Sequence, residues 1–282
     1  MCAPADDAGT PASPPDAARA PARLTALRAS GDALGASAFV DGLDLAAHGR
    51  AASPRPYVML NMVSTVDGRA SIDGRSGPLG NRADRELFHA LRAAVDGVLV
   101  GAGTIRAERY GPIVRDAAVR RRRVDRGLSE QPLACIVSGR VSLPSDTPLL
   151  ADERSHVVIL TPSAASLTGA RAQVDYVRAE RDGALELPRA LSELRERYGV
   201  RTLLCEGGPH LNAELLLAGV VDELFVSLSP MLAGGEGASG ESLRIVAGAE
   251  LDEPLELELL SALESDSHLF LRYAVASAPE RA

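Results

Sequence analysis

The sequence predicts an α/β fold: a mixed, mainly parallel sheet with helices on both faces, three layers in all, and antiparallel strands at its C-terminal edge. Two observations carry that prediction. Short, unbroken apolar runs alternate with segments of helical period across the middle of the chain, as parallel strands covered on both faces do. Beyond residue 217 strand-like runs follow one another with no helix between them, which points to antiparallel pairing.

Taken in order, residues 1 to 30 are dominated by Ala, Pro, Asp and Arg, too little apolar surface to offset ordering entropy. They read as a disordered arm. A weak apolar pattern from Leu34 to His48 fits a short docking segment, so residues 1–50 are assigned to a weakly ordered arm and 51–282 to one folded domain. Pro54 and Pro56 mark the entry to the core. Tyr57 to Ser64 is a buried strand ended by the turn at Asp67-Gly68. Asn81 caps a helix to about Ala94, with Leu87, Phe88, Leu91 and Val95 at helical spacing. Gly97 to Val100 is the next strand, and Gly101-Ala102-Gly103-Thr104 turns it into a helix stopped near Gly111-Pro112.

Further strands are expected at Leu133 to Val137, Val157 to Leu160, Val174 to Val177 and Arg201 to Cys205, with a helix from Leu187 to Tyr198 before the last. A helix from Leu211 to Leu217 follows. Glu223 to Ser229, Leu255 to Ala262 and Ser267 to Ala274 are then expected as antiparallel edge strands, with the glycine-rich stretch Gly234 to Gly240 among them.

Composition excludes several functions. A formal net charge of −8 and a pI near 5.2 argue against a general nucleic-acid binder. The local run Arg120 to Arg123 reads as a solvated loop or helix face. All 30 basic residues are arginine, so a Schiff-base lysine and a phosphate-loop lysine are both impossible. Cys2, Cys135 and Cys205 have no metal spacing, the five histidines form no ligand pair, and no metal site is expected. No apolar run is long enough to span a membrane, and no signal peptide is evident; the expected setting is the cytoplasm.

The chemistry concentrates at strand-to-helix junctions. Glu206-Gly207-Gly208-Pro209 leads from a strand into a helix whose unpaired N–H groups and dipole suit an anion. Gly101-Gly103 repeats the arrangement, without the three-glycine spacing of the Rossmann fingerprint. If the two strands are neighbours, a dinucleotide pyrophosphate fits between the two helix starts. Ser138-Gly139-Arg140, after another strand, reads either as an ordinary loop or as a cradle for an adenosine 2′-phosphate, which would select NADP. Asp67, Arg92, Glu108 and Arg115 are further polar candidates that spacing alone does not distinguish from surface residues.

Ser64-Thr65-Val66-Asp67-Gly68, Gly101-Ala102-Gly103-Thr104, Glu206-Gly207-Gly208-Pro209 and Val221-Asp222-Glu223-Leu224 followed by Pro230 together resemble the reductase domain of riboflavin biosynthesis. The likeness covers nearly all the chain after Arg55 and implies a dihydrofolate-reductase-like fold. It implies an NADPH-dependent homodimer that reduces the ribosyl group of 5-amino-6-(5-phosphoribosylamino)uracil, a small phosphorylated pyrimidine, to its ribityl form. By position, Val63, Thr104, Glu108 and the Gly207, Gly208, Pro209, His210, Leu211 segment would contact the cofactor. Ser76, Arg92, Arg115 and Glu206 would contact the substrate, the arginines at its phosphate. Asp67 or Glu206 would assist proton movement. The zinc-deaminase signature of bifunctional members is lacking in this sequence, and Asn61 stands where some of them carry lysine. The rival readings are a pterin reductase on the same fold and a non-catalytic NADP(H)-binding protein.

Overall fold

The structure, a computed structural model, describes residues 33–50, 54–235, 244–248, 251 and 253–276. Its strands are β1 (Tyr57–Thr65), β2 (Gly97–Gly101), β3 (Leu133–Val137), β4 (His156–Leu160), β5 (Gln173–Val177), the small hairpin β6 (Glu180–Arg181) and β7 (Ala184–Leu185), β8 (Thr202–Cys205), β9 (Glu223–Ser229), β10 (Leu257–Ser265) and β11 (His268–Val275). Its helices are α1 (Ala36–Asp41), α2 (Leu45–Arg50), α3 (Arg82–Ala94), α4 (Ala102–Glu108), α5 (Ala117–Asp125), α6 (Pro148–Ala151), α7 (Leu187–Tyr198) and α8 (Pro209–Leu217). A 3₁₀ turn spans Gly77–Leu79.

Strand side chains alternate between two cores, because successive residues of a pleated strand point to opposite faces. Met59, Val98, Val100 and Ile136 join Leu87, Leu91 of α3 and Ile105 of α4 on one face. Val58, Leu60, Leu99 and Cys135 join Leu187, Leu191 and Leu194 of α7 and Leu211 and Leu215 of α8 on the other. The three-layer α/β expectation is met, with nine strands in the order β10-β11-β9-β1-β8-β2-β3-β4-β5.

One expectation about the edge is corrected. Glu223 to Ser229 is not an antiparallel edge strand: β9 pairs parallel to β1, with Leu60 opposite Leu224. The cause is α8, which crosses over between β8 and β9 and returns the chain in the same direction. Within the nine-stranded sheet only the contacts of β11, with β9 and with β10, are antiparallel.

The folded body also begins earlier than the boundary at 51. Val40 of α1 and Leu45 of α2 are buried in the first core, and α1 packs on α3. The apolar residues of 34–48 are few but fall on inward faces, which suffices to dock two single-turn helices. The rest of the expected arm, Cys2, and most of the glycine-rich stretch lie outside the described residues.

Arg120 to Arg123 is likewise more than a solvated face. The run lies in α5, and Arg123 is 1% exposed. Its guanidinium donates to the carbonyls of Arg92, Ala93 and Val95 at the C-terminal end of α3 and to that of Ser129. A cation there satisfies orphan carbonyls and complements the helix dipole. Burial lowers its pKa to about 10.

Candidate active site

Parallel strands β1, β8 and β2 lie side by side, so the loops that leave their C-terminal ends open on one edge of the sheet. Two cavities share that edge, one of about 300 Å³ and one of about 420 Å³. They adjoin, since Met62, Ser76, Thr104, Glu108 and Glu206 line both.

The larger lobe is floored by the Gly101, Gly103 and Gly208-Pro209-His210-Leu211 segments. The two glycine junctions meet there: the Gly101 N–H donates to the Gly207 carbonyl at 2.7 Å. Gly207 has φ +82, a conformation that glycine alone adopts without penalty. A Cβ on Gly208 would lie 3.0 Å from the Thr104 hydroxyl oxygen, a tight contact that would make the Thr104 side chain give way by a few tenths of an ångström. Gly208 caps α8 with no side-chain acceptor, which leaves first-turn N–H groups available to a ligand.

The smaller lobe contains Val63, Phe88, Arg92, Arg109, Tyr110 and Arg115. At its base Arg92 and Glu206 form a bidentate pair, Nε to Oε1 and Nη2 to Oε2, each 2.6 Å. Their side chains are 11% and 3% exposed. The Tyr110 hydroxyl donates to Glu206 Oε2 as well. The Arg92 guanidinium stacks 3.9 Å from the Phe88 ring centroid. Burial opposes the charge on Arg92, but the Glu206 carboxylate outweighs it and raises the guanidinium pKa above its ordinary value. Burial and then the same carboxylate push the Tyr110 phenol well up. Burial, with Arg92 and Arg115 nearby, lowers the pKa of His89.

The sequence matches the RibD C-terminal domain over residues 56–271. The chain belongs to the RibD C-terminal domain family. It is 31% identical over 228 residues to the 2,5-diamino-6-ribosylamino-4(3H)-pyrimidinone 5′-phosphate reductase of Methanothermobacter thermautotrophicus, covering 78% of this chain and 99% of that protein. It is 29% identical over 181 residues to the riboflavin biosynthesis protein RibD of Mycobacterium tuberculosis, covering 64% of this chain and 44% of that longer protein. Among solved structures, a pyrimidine reductase-like protein from Corynebacterium diphtheriae superposes with a TM-score of 0.69 at 22% identity, covering 86% of this chain and 99% of that one. That likeness is one of fold.

Within this RibD C-terminal domain the expected site residues divide. Ser76, Thr104, Glu108 and Glu206 lie where the lobes meet, and Glu108 accepts from both the N–H and the hydroxyl of Ser76 at 3.1 Å. Val63 faces the smaller lobe, not the larger one where a cofactor contact was expected. Glu206 and Arg92 both line the smaller lobe and pair with each other at its base, a pairing that uses two of the guanidinium's five N–H donors. Arg115 lines the smaller lobe and, among the described residues, has no carboxylate partner.

Ser138 and Arg140 line neither lobe. Ser138 is buried and its hydroxyl accepts from the Val141 N–H, while Arg140 is exposed at the end of β3, beside β2. Asp67 is outside the cleft too. Its carboxylate accepts from the Thr65 hydroxyl and from the Gly234 and Ala233 N–H groups, which in that order lower its pKa to about 2. Its side chain lines neither lobe, and its place in the fold is that of a turn clamp between the end of β1 and the Ala233-Gly234 segment. The sequence reading missed Tyr110 and Phe88, which flank the buried ion pair. Their signal was faint: two rings at helix-end and helix-interior positions of a chain that is 3% aromatic.

No group of His, Cys, Asp and Glu suited to hold a metal ion occurs among the described residues. None of the described helices is long and apolar enough to cross a membrane.

Proposed function

We propose that this chain is an NADPH-dependent reductase that opens the ribosyl group of a phosphoribosylaminopyrimidine to a ribityl chain. The substrate is 5-amino-6-(5-phosphoribosylamino)uracil or its 2,5-diamino-pyrimidinone counterpart, the compound for which the Methanothermobacter relative is named. The observation that supports this reading is the two-lobed cleft itself. Its glycine-floored lobe suits a dinucleotide and its arginine-lined lobe an anionic sugar, and the two share a wall at Glu206.

The fit to a nicotinamide dinucleotide rests on the missing Cβ atoms at Gly207 and Gly208 and on the uncapped start of α8, to which a pyrophosphate would lie close. When bound, the dinucleotide supplies a hydride to the sugar carbon bonded to nitrogen, once ring opening has made that bond an imine. The chain's own residues position the two ligands and exclude water. Thr104 and the Gly208 to Leu211 segment orient the dinucleotide, and Ser76, ordered by Glu108, contacts the sugar. Glu206 is held in one rotamer by Arg92 and Tyr110, a fixed wall between the two reactants. The Tyr110 hydroxyl, kept protonated by burial, is the proton-bearing group nearest that wall.

Exposed Arg140, just past the end of β3, extends the reading to the adenosine 2′-phosphate of NADP. Cys135 and Cys205, free and buried, suit a reducing cytoplasm. The half-exposed Leu257, Leu259, Leu260 and Leu269 of the terminal hairpin suit burial in a homodimer. The test of function follows the loss of NADPH absorbance with the deaminated pyrimidine, the undeaminated pyrimidine and dihydrofolate in parallel. Turnover of either phosphoribosylamino compound and not of dihydrofolate supports the reading; turnover of dihydrofolate alone replaces it with the pterin reductase, and NADPH binding without turnover with the binding protein.

A further inference from the structure

Asn212 is 0% exposed, set between the buried Leu211 and Ala213 of α8. A carboxamide in such a place is costly unless its polar atoms are hydrogen-bonded. All the bonds of this side chain leave its own helix. Nδ2 donates to the Ile245 carbonyl at 2.7 Å and to Met62 Sδ at 3.2 Å, and Oδ1 accepts from the Cys205 thiol at 3.7 Å. One amide group thus joins β1, the end of β8 and a segment beyond β9.

That segment, residues 244–248, has no helix or strand of its own and follows the start of α8. The Ala247 N–H donates to the Pro209 carbonyl at 3.2 Å. Gly248, at φ +107, packs so closely that a Cβ on it would lie 3.0 Å from His210 Cδ2. Pro209 and His210 line the larger lobe, whereas neither Asn212 nor any of residues 244–248 lines either lobe. The segment therefore backs the first turn of α8 from outside the cleft. On the inner side the carboxamide holds Met62, which lines both lobes and whose Sδ would lie 3.5 Å from a Cβ on Gly207.

We infer that Asn212 is a positioning residue of the larger lobe: by joining segment 244–248 to Met62 it fixes the first turn of α8, and with it the surface that holds the dinucleotide. The inference deepens the reductase reading and rests on it for the identity of that ligand. A primary amide has two N–H donors and one carbonyl acceptor, and here each kind is engaged by a different part of the chain. Without those bonds the Ile245 carbonyl loses its donor, and both the α8 start and the Met62 side chain lose a restraint. A small displacement of a ligand-holding element is enough to cost turnover, because hydride transfer needs the two reactants in a near-attack geometry.

Asn212→Leu fills the same space without the hydrogen bonds. Hydrogen exchange at the Ala247 amide is expected to accelerate about tenfold, the loss of one hydrogen bond that holds the segment. NADPH affinity, measured by fluorescence titration in the absence of substrate, is expected to weaken by a similar factor, and kcat to fall more than KM for the pyrimidine rises. Gly248→Ala tests the same segment from an exposed position, away from the core. It is expected to share the losses of exchange protection and NADPH affinity. The double variant is expected to bind NADPH no more weakly than Asn212→Leu, because both substitutions act through one segment. Unchanged NADPH affinity in either single variant, or losses that add in the double variant, overturns the inference. A parent that binds no NADPH overturns the reductase reading and the inference with it, a result told apart from the others because the parent is titrated alone.

Discussion

Glu206 holds Arg92 through two parallel 2.6 Å hydrogen bonds in a base of the cleft where the carboxylate is 3% exposed. Arg92 belongs to α3 and Glu206 to the loop that leaves β8, so the pair ties a helix of one layer to the cleft edge of the sheet. Removing one partner strands a buried charge, whereas removing both does not. Glu206→Gln is therefore expected to destabilise the fold by about 3 to 5 kcal/mol, and Arg92→Leu combined with it to recover much of that. Denaturant unfolding of the two single variants and the double variant checks this. Additive losses would mean that the two side chains do not act as a pair. On the proposed reading NADPH sits in the glycine-floored lobe, so its affinity is expected to survive Glu206→Gln while turnover falls.

Tyr110 shares Oε2 of the same carboxylate. Tyr110→Phe removes a bond to a charged group and is expected to cost about 1.5 to 3 kcal/mol. The phenol's pKa is raised in the fold above its ordinary 10.0, so stability linked to it is complete below 10.0 and declines as pH rises beyond. Unfolding followed between neutrality and alkaline pH is expected to show a shallower decline for Tyr110→Phe than for the parent. A parallel decline would remove the hydroxyl from the account.

Gly207→Ala places a Cβ at φ +82 and is expected to cost about 1 to 2 kcal/mol, with loss of NADPH affinity. Gly208→Ala acts differently, by crowding the Thr104 hydroxyl. Thr104→Ala should partly restore the melting temperature of Gly208→Ala and do nothing for Gly207→Ala. Equal effects in both backgrounds would show that the close approach to α4 is not what excludes a side chain there.

Asp67 is an ionised clamp in the fold, its pKa lowered from 3.8 to about 2. A depressed carboxylate contributes stability above 3.8 that disappears as pH falls through about 2. Asp67→Asn is expected to be less stable than the parent at neutral pH and to converge with it at the acid end. NADPH-dependent turnover per folded molecule should be retained, because the side chain lines neither lobe. A loss of turnover in fully folded Asp67→Asn would return the residue to the catalytic site.

The fold was legible because its signals are local and repeated. Unbroken apolar strands announce parallel neighbours, and the Asn81 cap is seen in the side-chain bond to the Asp84 N–H. The direction of β9 was not legible, because Glu223 to Ser229 has the same apolar run whether its neighbour is parallel or antiparallel; the crossover through α8 decides it. The glycine cradle was readable from spacing, since glycine carries its meaning in its backbone. Charged residues do not. Arg92, Arg115 and Arg123 look alike in sequence, yet one is locked in an ion pair, one lines a cleft without a partner and one caps a buried helix end. What separates them is which groups converge in space, and the partners of Arg92 and Arg123 come from distant segments such as Glu206 and the end of α3.

In the proposed reaction the dinucleotide in one lobe delivers hydride to a sugar carbon in the other, past the wall at Glu206. Turnover of the phosphoribosylaminopyrimidines with NADPH deuterated at the nicotinamide C4, followed by mass spectrometry of the product, tests it most directly. One deuterium is expected in the ribityl chain, on the carbon bonded to nitrogen, from one face of the nicotinamide. Product without deuterium at that carbon, or label appearing only in a reduced pterin, would contradict it.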